Sequence, residues 1–343
     1  MTAIADQPKG AWQWVLIAKG IGILLVVIGH FNPDFAPAWW HELVTLIYTF
    51  HMPLFMILSG YLYVVGRQQW SELVASKFKR LGFPFIFIAL LFLLIKLLSQ
   101  LVVTLEHPIS MNSLVTLLVN PGKSYMPLLW FMHALFFMFA LYPILHRMLR
   151  HHAIILLVFV LLALWGPSPY PGINTIVHHF PFFVAGVWLR ESGQVQLVQN
   201  KGWMRIALVS GLAFVASYWL APKLDSGYPA HYLWLFPLGL LGSISVIAIS
   251  HRLDLISKVN GSGSVVVNAL ASAGLYSMSI YLFHTLFESA VRVAAFQVLG
   301  LPVSWFLIVG FVAITVGMLM PLLLEKYVLR NVQLTRRYLL GLN

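Results

Sequence analysis

The sequence predicts an all-α integral membrane protein with about ten transmembrane helices and with both termini in the cytoplasm. Of the 343 residues, 60% are hydrophobic and 9% are charged, whereas a soluble domain carries roughly 25% charged residues. Apolar runs of about 20 residues, the length that crosses a bilayer, recur from residue 14 to residue 325. No long polar segment remains for a soluble domain, so we expect one membrane domain over residues 1–343.

Loop signals divide the apolar runs into ten helical spans. The fifth and sixth are short, and the ninth is long enough to tilt or to break. Turn-forming residues separate several of them, at Asn32-Pro33-Asp34, Asn120-Pro121-Gly122, Pro167–Gly172 and Gly261-Ser262-Gly263. The expected spans are 13–31, 44–65, 82–104, 126–146, 153–167, 176–190, 204–221, 231–250, 267–297 and 303–325.

Positive charges fall almost entirely in alternate loops, which gives the orientation. The loops of one side carry sixteen lysines and arginines, from Lys9 to Arg337, and those of the other side carry Lys123 and Lys223. The acidic residues of that second side are Asp34, Glu42, Glu106 and Asp225. Cytoplasmic loops are the positive ones, so residues 1–12 and the tail 326–343 are expected in the cytoplasm.

Composition also excludes several kinds of site. The chain has no cysteine, which excludes disulfides and thiolate metal sites. No spacing of histidines and carboxylates predicts three or four convergent ligands, so we expect no metal. The net charge of +11 is explained by loop placement, and we expect no nucleic-acid partner.

The first span carries two ionisable residues that a simple anchor does not need, Lys19 and His30. They are 11 residues apart, which is three helical turns plus about 20°, so they share a face at about 16 Å separation. Gly20, Gly22 and Gly29 lie near that face and allow a close approach to the backbone. Either residue could instead be interfacial, Lys19 by reaching the headgroups and His30 by facing water. A cation below an imidazole suits a ligand with an anionic head and a reactive far end, such as acyl-coenzyme A.

The second span and the loop after it add further candidates. His51 opens the span, and Ser59 follows two turns later. In the cytoplasmic stretch before the third span, Lys77 and Arg80 are three residues apart on one helical face. This basic pair is either a determinant of topology or a clamp for phosphates.

Five segments resemble, in order, the motif series of the membrane-bound acyltransferase family 3. The segments are KGIGILLVVIGH, FHMPLFMILSGYL, LLWFMHALFF at 128–137, HHFPFFVAGVWLR at 178–190 and ASAGLYSMSIYLFH at 271–284. FHMPLF together with KGIGI most resembles the branch of fucose 4-O-acetylase-like sugar O-acetyltransferases. The resemblance runs from about residue 12 to about residue 325, and five motifs in register are specific where each alone is weak.

The resemblance implies roles for particular residues. The family's basic residue and histidine, ten residues between them, match Lys19 and His30, and its cytoplasmic basic motif matches Lys77 and Arg80. The histidine that closes its late motif matches His284. Relatives often carry an aspartate three residues before the basic residue, and this sequence has Leu16 there, so Lys19 lacks that carboxylate neighbour.

We therefore expect transfer of acetyl from acetyl-coenzyme A to a hydroxyl of a sugar, a polysaccharide or a lipid-linked oligosaccharide. His30 would act as the general base or as a transient acyl acceptor. Lys19, Lys77 and Arg80 would hold the donor's phosphates or polarise its thioester carbonyl. Candidate pocket residues are His284, His51 and Ser59, with Asp34 and Glu42 as candidate acidic partners of His30.

The expected location is the bacterial cytoplasmic membrane, in contact with its lipids. Two other functions fit many spans with intramembrane charge: a transporter or flippase for a lipid-linked sugar, and an assembly partner in a polysaccharide machine. The two halves of the chain show no repeat, which favours the enzyme over the transporter.

Overall fold

The computed structural model describes residues 13–100, 111–166, 171–197, 200–221, 230–259 and 264–340. Over these ranges the regular structure is helical, with no strand. Several residues used above for topology and loops lie outside the described ranges: Lys9, Glu106, Lys223, Asp225, part of the Pro167–Gly172 loop, and Gly261-Ser262-Gly263.

The described chain forms α-helices joined by short π- and 3₁₀-helical segments. The α-helices are α1 Gln13–His30, α2 Ala38–Tyr48, α3 His51–Tyr61, α4 Trp70–Lys77, α5 Phe83–Gln100, α6 Met111–Val119, α7 Trp130–Leu149, α8 His152–Trp165, α9 Pro171–Glu191, α10 Gln194–Leu197, α11 Asn200–Leu220, α12 Ala230–Val259, α13 Val265–Leu275, α14 Ser277–Val293, α15 Phe306–Leu324 and α16 Gln333–Tyr338. The π-helical segments are Phe78–Gly82, Ala294–Val298 and Glu325–Leu329, and the 3₁₀ segments are Pro121–Lys123, Pro127–Leu129 and Val303–Trp305.

In the described residues, eight helical stretches are long and apolar enough to cross a membrane. They are Gln13–His30, Ala38–Tyr61, Trp70–Leu98, Pro127–Leu149, Gly172–Glu191, Gly202–Leu220, Trp234–Val259 and Val303–Leu329. A ninth is the pair α13 and α14, which meet at an 88° bend. The predicted all-α integral membrane protein is confirmed, and so is the break in the ninth window.

The fifth window is short, as expected, whereas the sixth forms a full span of 20 residues, Gly172–Glu191, and two span starts differ from those expected. The fifth window forms α8, which has 14 residues and is short of the roughly 20 that cross a bilayer. The second span begins at Ala38 and the third at Trp70. The third starts early because the basic stretch after Trp70 is itself helical and continues through Phe78–Gly82 into α5. The charges of this stretch had indicated a loop.

The fold divides into two compact units. The first comprises Met1–Leu62 with Gly186–Lys326, and the second comprises Tyr63–Ala185 with Tyr327–Asn343. One hydrophobic cluster of the first unit lies where α1 ends and α15 begins. Its buried members are Phe31, Ala36, Trp40, Val44, Ala295, Phe306, Val309 and Ala313.

In the first unit, α1 and α13 cross with their backbones in contact. A Cβ atom added to Gly20 would collide with the Leu270 carbonyl, and one added to Gly274 would collide with the Leu16 carbonyl. Each helix thus contributes a glycine and a residue one turn away from it. Apolar side chains gain little by leaving lipid for a helix interface, so close van der Waals packing of this kind holds membrane helices together.

In the second unit, side chains that donate to backbone carbonyls connect the helices. The Trp70 indole donates to the Ala140 carbonyl at 2.9 Å, which ties α4 to α7. The Tyr125 hydroxyl donates to the Ala89 carbonyl of α5, also at 2.9 Å. Such bonds satisfy carbonyl groups at membrane depth and fix the helices relative to one another inside this unit.

Where α1 and α13 cross, replacing a glycine even with alanine should destabilise the protein. We expect Gly20→Ala and Gly274→Ala each to lower the stability of the purified protein by about 1–3 kcal/mol, because the added methyl forces two backbones apart. This loss exceeds the gain in helix propensity of about 1 kcal/mol that alanine brings. Thermal unfolding in detergent measures it.

The control for this measurement is Gly211→Ala in α11, where the added Cβ meets only the Ser245 hydroxyl at 3.2 Å, the end of a side chain that can move. Equal unfolding temperatures for all three variants would contradict the backbone contact between α1 and α13.

The expected orientation is testable with single cysteines, because the chain has none of its own. Arg67 and Lys123 are both exposed in connections between helices. In right-side-out vesicles, Lys123→Cys should react with a membrane-impermeant maleimide, and Arg67→Cys should react only after permeabilisation. The opposite labelling pattern would reverse the assigned sides.

Candidate active site

His30 is the last residue of α1, and its ring is held by its own helix. The His30 Nδ1 lies 2.9 Å from the Val26 carbonyl oxygen, one turn earlier. A carbonyl only accepts, so the neutral imidazole carries its proton on Nδ1 and leaves Nε2 as the basic nitrogen. The side chain is half-buried. His30 therefore presents a lone pair on a ring whose orientation is fixed.

His284 lies beside His30, edge to face. The ring centroids are 4.8 Å apart with an interplanar angle of 85°. His284 is 0% exposed, and its Nδ1 lies 2.9 Å from the carbonyl oxygens of both Ile280 and Tyr281. Its Nε2 is buried without a hydrogen-bond partner. The structure thus brings together two of the residues that the sequence singled out, and both have the same tautomer.

Glu288 follows His284 by one turn of α14 and was not predicted from the sequence. The side chain is 5% exposed, and its Oε2 atom is buried without a hydrogen-bond partner. Arg292, another turn along, interacts with it electrostatically. Residues four apart share a helix face. The spacing of His284, Glu288 and Arg292 therefore could have indicated this polar stripe from the sequence.

Tyr48 and His51 border the histidine pair. The Tyr48 hydroxyl donates to the Gly29 carbonyl at 2.9 Å, and its ring centroid is 6.3 Å from that of His30. His51 is 6% exposed and lies 5.0 Å from the Tyr48 ring, with its Nδ1 2.9 Å from the Ile47 carbonyl. His51 therefore reaches the site through Tyr48, a residue that the sequence did not indicate.

Gly317 of α15 packs against the helix turns that carry the site without adding a side chain of its own. A Cβ atom at Gly317 would lie 3.1 Å from the Val27 side chain, 3.6 Å from the His284 carbonyl oxygen and 3.7 Å from the Glu288 Cβ. A larger side chain would press on the helix turns that carry His284 and Glu288. The absence of a side chain at this position lets α1, α14 and α15 meet around the polar groups.

Lys19 is half-buried on α1, at a predicted distance of about 16 Å along the helix from His30. Within the part of the chain that the structure describes, it has no hydrogen-bond or ion-pair partner. Leu16, three residues earlier, supplies no carboxylate. Lys19 is therefore a cation available to an anionic ligand.

Lys77 and Arg80 belong to the second unit. The Lys77 Nζ lies 3.5 Å from the centroid of the Phe139 ring, a cation–π contact. Arg80 lies in the π-helical segment Phe78–Gly82, and the two half-buried cations interact electrostatically. The sequence-predicted basic pair is thus one local cluster.

The remaining candidates lie at less enclosed positions. Asp34 is exposed in the turn after α1, and Ser59 is half-buried on α3. Glu42 is exposed and accepts a hydrogen bond from the Tyr218 hydroxyl at 3.1 Å. Among the described residues, no group of three or more histidines and carboxylates could hold a metal ion. The carboxylate that the structure places with the histidine pair is Glu288.

Comparison with known proteins gives the chain its family. The family model described as "Acyltransferase domain", acyltransferase family 3, matches residues 12–320. Nodulation protein NolL of Mesorhizobium japonicum is 27% identical over 209 residues, which are 58% of this chain and 53% of NolL. The chain thus spans about half the length of that curated relative, and no solved structure matches it. Because the family model covers nearly the whole sequence, the chain belongs to acyltransferase family 3.

Proposed function

We propose that this protein is a membrane-bound O-acyltransferase that moves acetyl from acetyl-coenzyme A to a hydroxyl of a cell-surface polysaccharide or lipid-linked sugar. One observation carries the proposal. The Nδ1 of His30 is held by the Val26 carbonyl of its own helix, so the ring is fixed and Nε2 is the basic nitrogen. This histidine lies in a largely apolar unit of a chain that belongs to an acyltransferase family. That is the property required of a group that takes a proton or an acyl group at neutral pH.

Two routes use the same nitrogen. In the first, Nε2 takes the proton of the acceptor hydroxyl while its oxygen attacks the thioester carbonyl, and the departing thiolate receives the proton. In the second, Nε2 attacks the thioester and the thiolate leaves; the acceptor oxygen then takes the acyl group from His30, and the hydroxyl proton passes in the net reaction to the thiolate. Sequential kinetics would indicate the first route, and ping-pong kinetics would indicate the second.

The donor would be held by cations. Lys77 and Arg80 form a local basic cluster in one unit, and Lys19 is a cation without a partner among the described residues of the other. Charge-assisted hydrogen bonds from such groups bind phosphates well. We assign the basic cluster of Lys77 and Arg80 to the phosphates of coenzyme A, which reach the protein from the cytoplasm in the predicted orientation. Lys19 is a separate candidate ligand of an anion in its own unit.

The acceptor class follows from the resemblance to sugar O-acetyltransferases, of which the fucose 4-O-acetylase-like branch is the most similar in its motifs. Polysaccharide repeats and lipid-linked oligosaccharides both present sugar hydroxyls at a bacterial cytoplasmic membrane. The apolar helices and the surrounding lipids would keep the reactive acyl group away from bulk water.

A second candidate function is transport of a lipid-linked sugar, favoured by the 88° break between α13 and α14. Interrupted helices form the binding sites of many transporters. Purified protein that moves a lipid-linked sugar across liposomes and transfers no acyl group would support transport over acylation.

The first test is removal of the basic nitrogen. His30→Ala should lower the rate of label transfer from radiolabelled acetyl-coenzyme A to the acceptor by about 10²- to 10⁴-fold, the usual contribution of a positioned acid–base group. The assay uses purified protein in nanodiscs with a panel of sugar acceptors.

His179→Ala is the matched control for this substitution, since the His179 Nδ1 is likewise 2.8 Å from a carbonyl of its own helix, that of Thr175. Transfer by His30→Ala at the wild-type rate would refute the mechanism, as would an equal loss in the control.

The second test concerns the donor site. Lys77→Ala combined with Arg80→Ala should weaken coenzyme A binding by about 100-fold or more, because each of the two lost charge-assisted hydrogen bonds is worth roughly 1.5–3 kcal/mol. Isothermal titration of wild type and variant measures the affinity. Lys123→Ala, an exposed cation in the same unit, is the control, and an unchanged affinity in the double variant would contradict the assignment.

A further inference from the structure

Two buried acceptor atoms lie behind His30 with no donor to satisfy them. The His284 Nε2 is an acceptor because Nδ1 faces two carbonyls, and the Glu288 Oε2 accepts whenever the carboxylate is ionised. Neither atom has a hydrogen-bond partner among the residues that the structure describes, and both side chains are more than nine-tenths buried. Burying such groups unpaired costs free energy, so their retention requires an explanation.

Burial decides which of the three side chains can meet a substrate. His30 is half-buried at the end of α1, whereas His284 is 0% and Glu288 is 5% exposed. A hydroxyl or a thioester can therefore reach His30, while His284 and Glu288 lie out of reach. Any role of these two residues in the reaction acts through His30.

Both routes of acyl transfer place a positive charge on the His30 ring. General-base catalysis makes it an imidazolium when it takes the hydroxyl proton, and nucleophilic catalysis makes it an acyl-imidazolium. A charge that develops inside an apolar helix bundle is costly unless dipoles or counter-charges are already in place. The uncompensated acceptors beside His30 meet that need.

We propose that Glu288 is the acidic positioning residue of this site, whose carboxylate, together with the acceptor Nε2 of His284, stabilises the positive charge that His30 acquires during acyl transfer. The proposal rests on the proposed function and deepens it, since it supplies the acidic partner that Asp34 and Glu42 were expected to provide. It holds for either route, because the charge on the ring is the same.

The groups around Glu288 fit this role. Arg292 lies one turn further along α14 and interacts electrostatically with the carboxyl group in the sense that favours its charged form. The Tyr48 hydroxyl also interacts electrostatically with Glu288 and is fixed by its bond to Gly29. On the adjoining helix α15, Gly317 contributes no side chain to the contact. Among the described residues, Tyr48 and Arg292 interact electrostatically with Glu288, and His284 lies one turn before it on the same helix.

The test is Glu288→Gln, which keeps the side-chain volume and removes the charge. We expect kcat for acetyl transfer to fall by about 10- to 1,000-fold, the usual effect of removing one preorganised electrostatic group. The KM values for acetyl-coenzyme A and for the sugar acceptor should stay at the wild-type level, since Glu288 touches neither.

Asp254→Asn is the matched control. Asp254 is a buried carboxylate of the same unit, 3% exposed and also with one oxygen lacking a partner, but it pairs with Lys258 on α12. An unchanged kcat in Glu288→Gln would overturn the proposal. So would an equal fall in Asp254→Asn, or a rise in KM with kcat unchanged.

A double variant shows whether Glu288 and His284 act on the same charge. His284→Gln should lower kcat to a similar extent, and the variant carrying both substitutions should be no slower than the slower single one, because groups acting as a unit are not additive. Fully multiplicative losses would mean that the two side chains act independently and would refute the coupling.

A measurement without turnover separates this proposal from the proposed function. In ¹⁵N-histidine solid-state NMR of the full protein, the ring signals of His30, assigned by their loss in His30→Ala, should shift in Glu288→Gln and stay fixed in Asp254→Asn. If wild type transfers no acyl group but the signals shift, the proposed function fails while the electrostatic link stands. Unshifted signals with active transfer would refute the link alone.

Discussion

The backbone contact between α1 and α13 is the constraint on which the candidate active site depends. Gly20 and Gly274 let the two helices cross at the Leu16 and Leu270 carbonyls. The chain then turns through 88° into α14, which carries His284 to the end of α1, where His30 lies. In lipid, such contacts must come from close packing, because burial of apolar side chains between helices gains little over burial in acyl chains. Side chains at these glycines would separate the two histidines.

The imidazoles of the site are organised by their own helices. His30, His51 and His284 each place Nδ1 against a carbonyl one turn earlier. This arrangement satisfies one ring nitrogen locally, as membrane interiors require, and fixes the proton on it. In His30 and His284 the other nitrogen stays basic. The proposed catalysis at His30 therefore uses ordinary helical geometry at a particular position.

Much of the fold and part of the site could be predicted from the sequence. Hydrophobic runs indicated the helical membrane class and the break in the ninth span, and the resemblance indicated His30 and His284. Glu288 was not predicted because its place near His30 depends on the packing of α14 beside α1. Its spacing of four residues from His284 is nevertheless visible in the sequence. Tyr48 escaped because an aromatic residue near a span end is usually an interface residue. Span limits moved because a charged segment such as 70–82 can be helical outside the apolar core.

The central claim is that acyl transfer takes place at the Nε2 atom of His30. The most direct measurement is a cryo-electron microscopy map of the protein in nanodiscs with a non-transferable ketone analogue of acetyl-coenzyme A. The account predicts that the analogue's carbonyl carbon lies about 3–4 Å from His30 Nε2, the separation of a reactive complex. An analogue bound with its acyl end remote from His30, and close to another nucleophile or base, would contradict it.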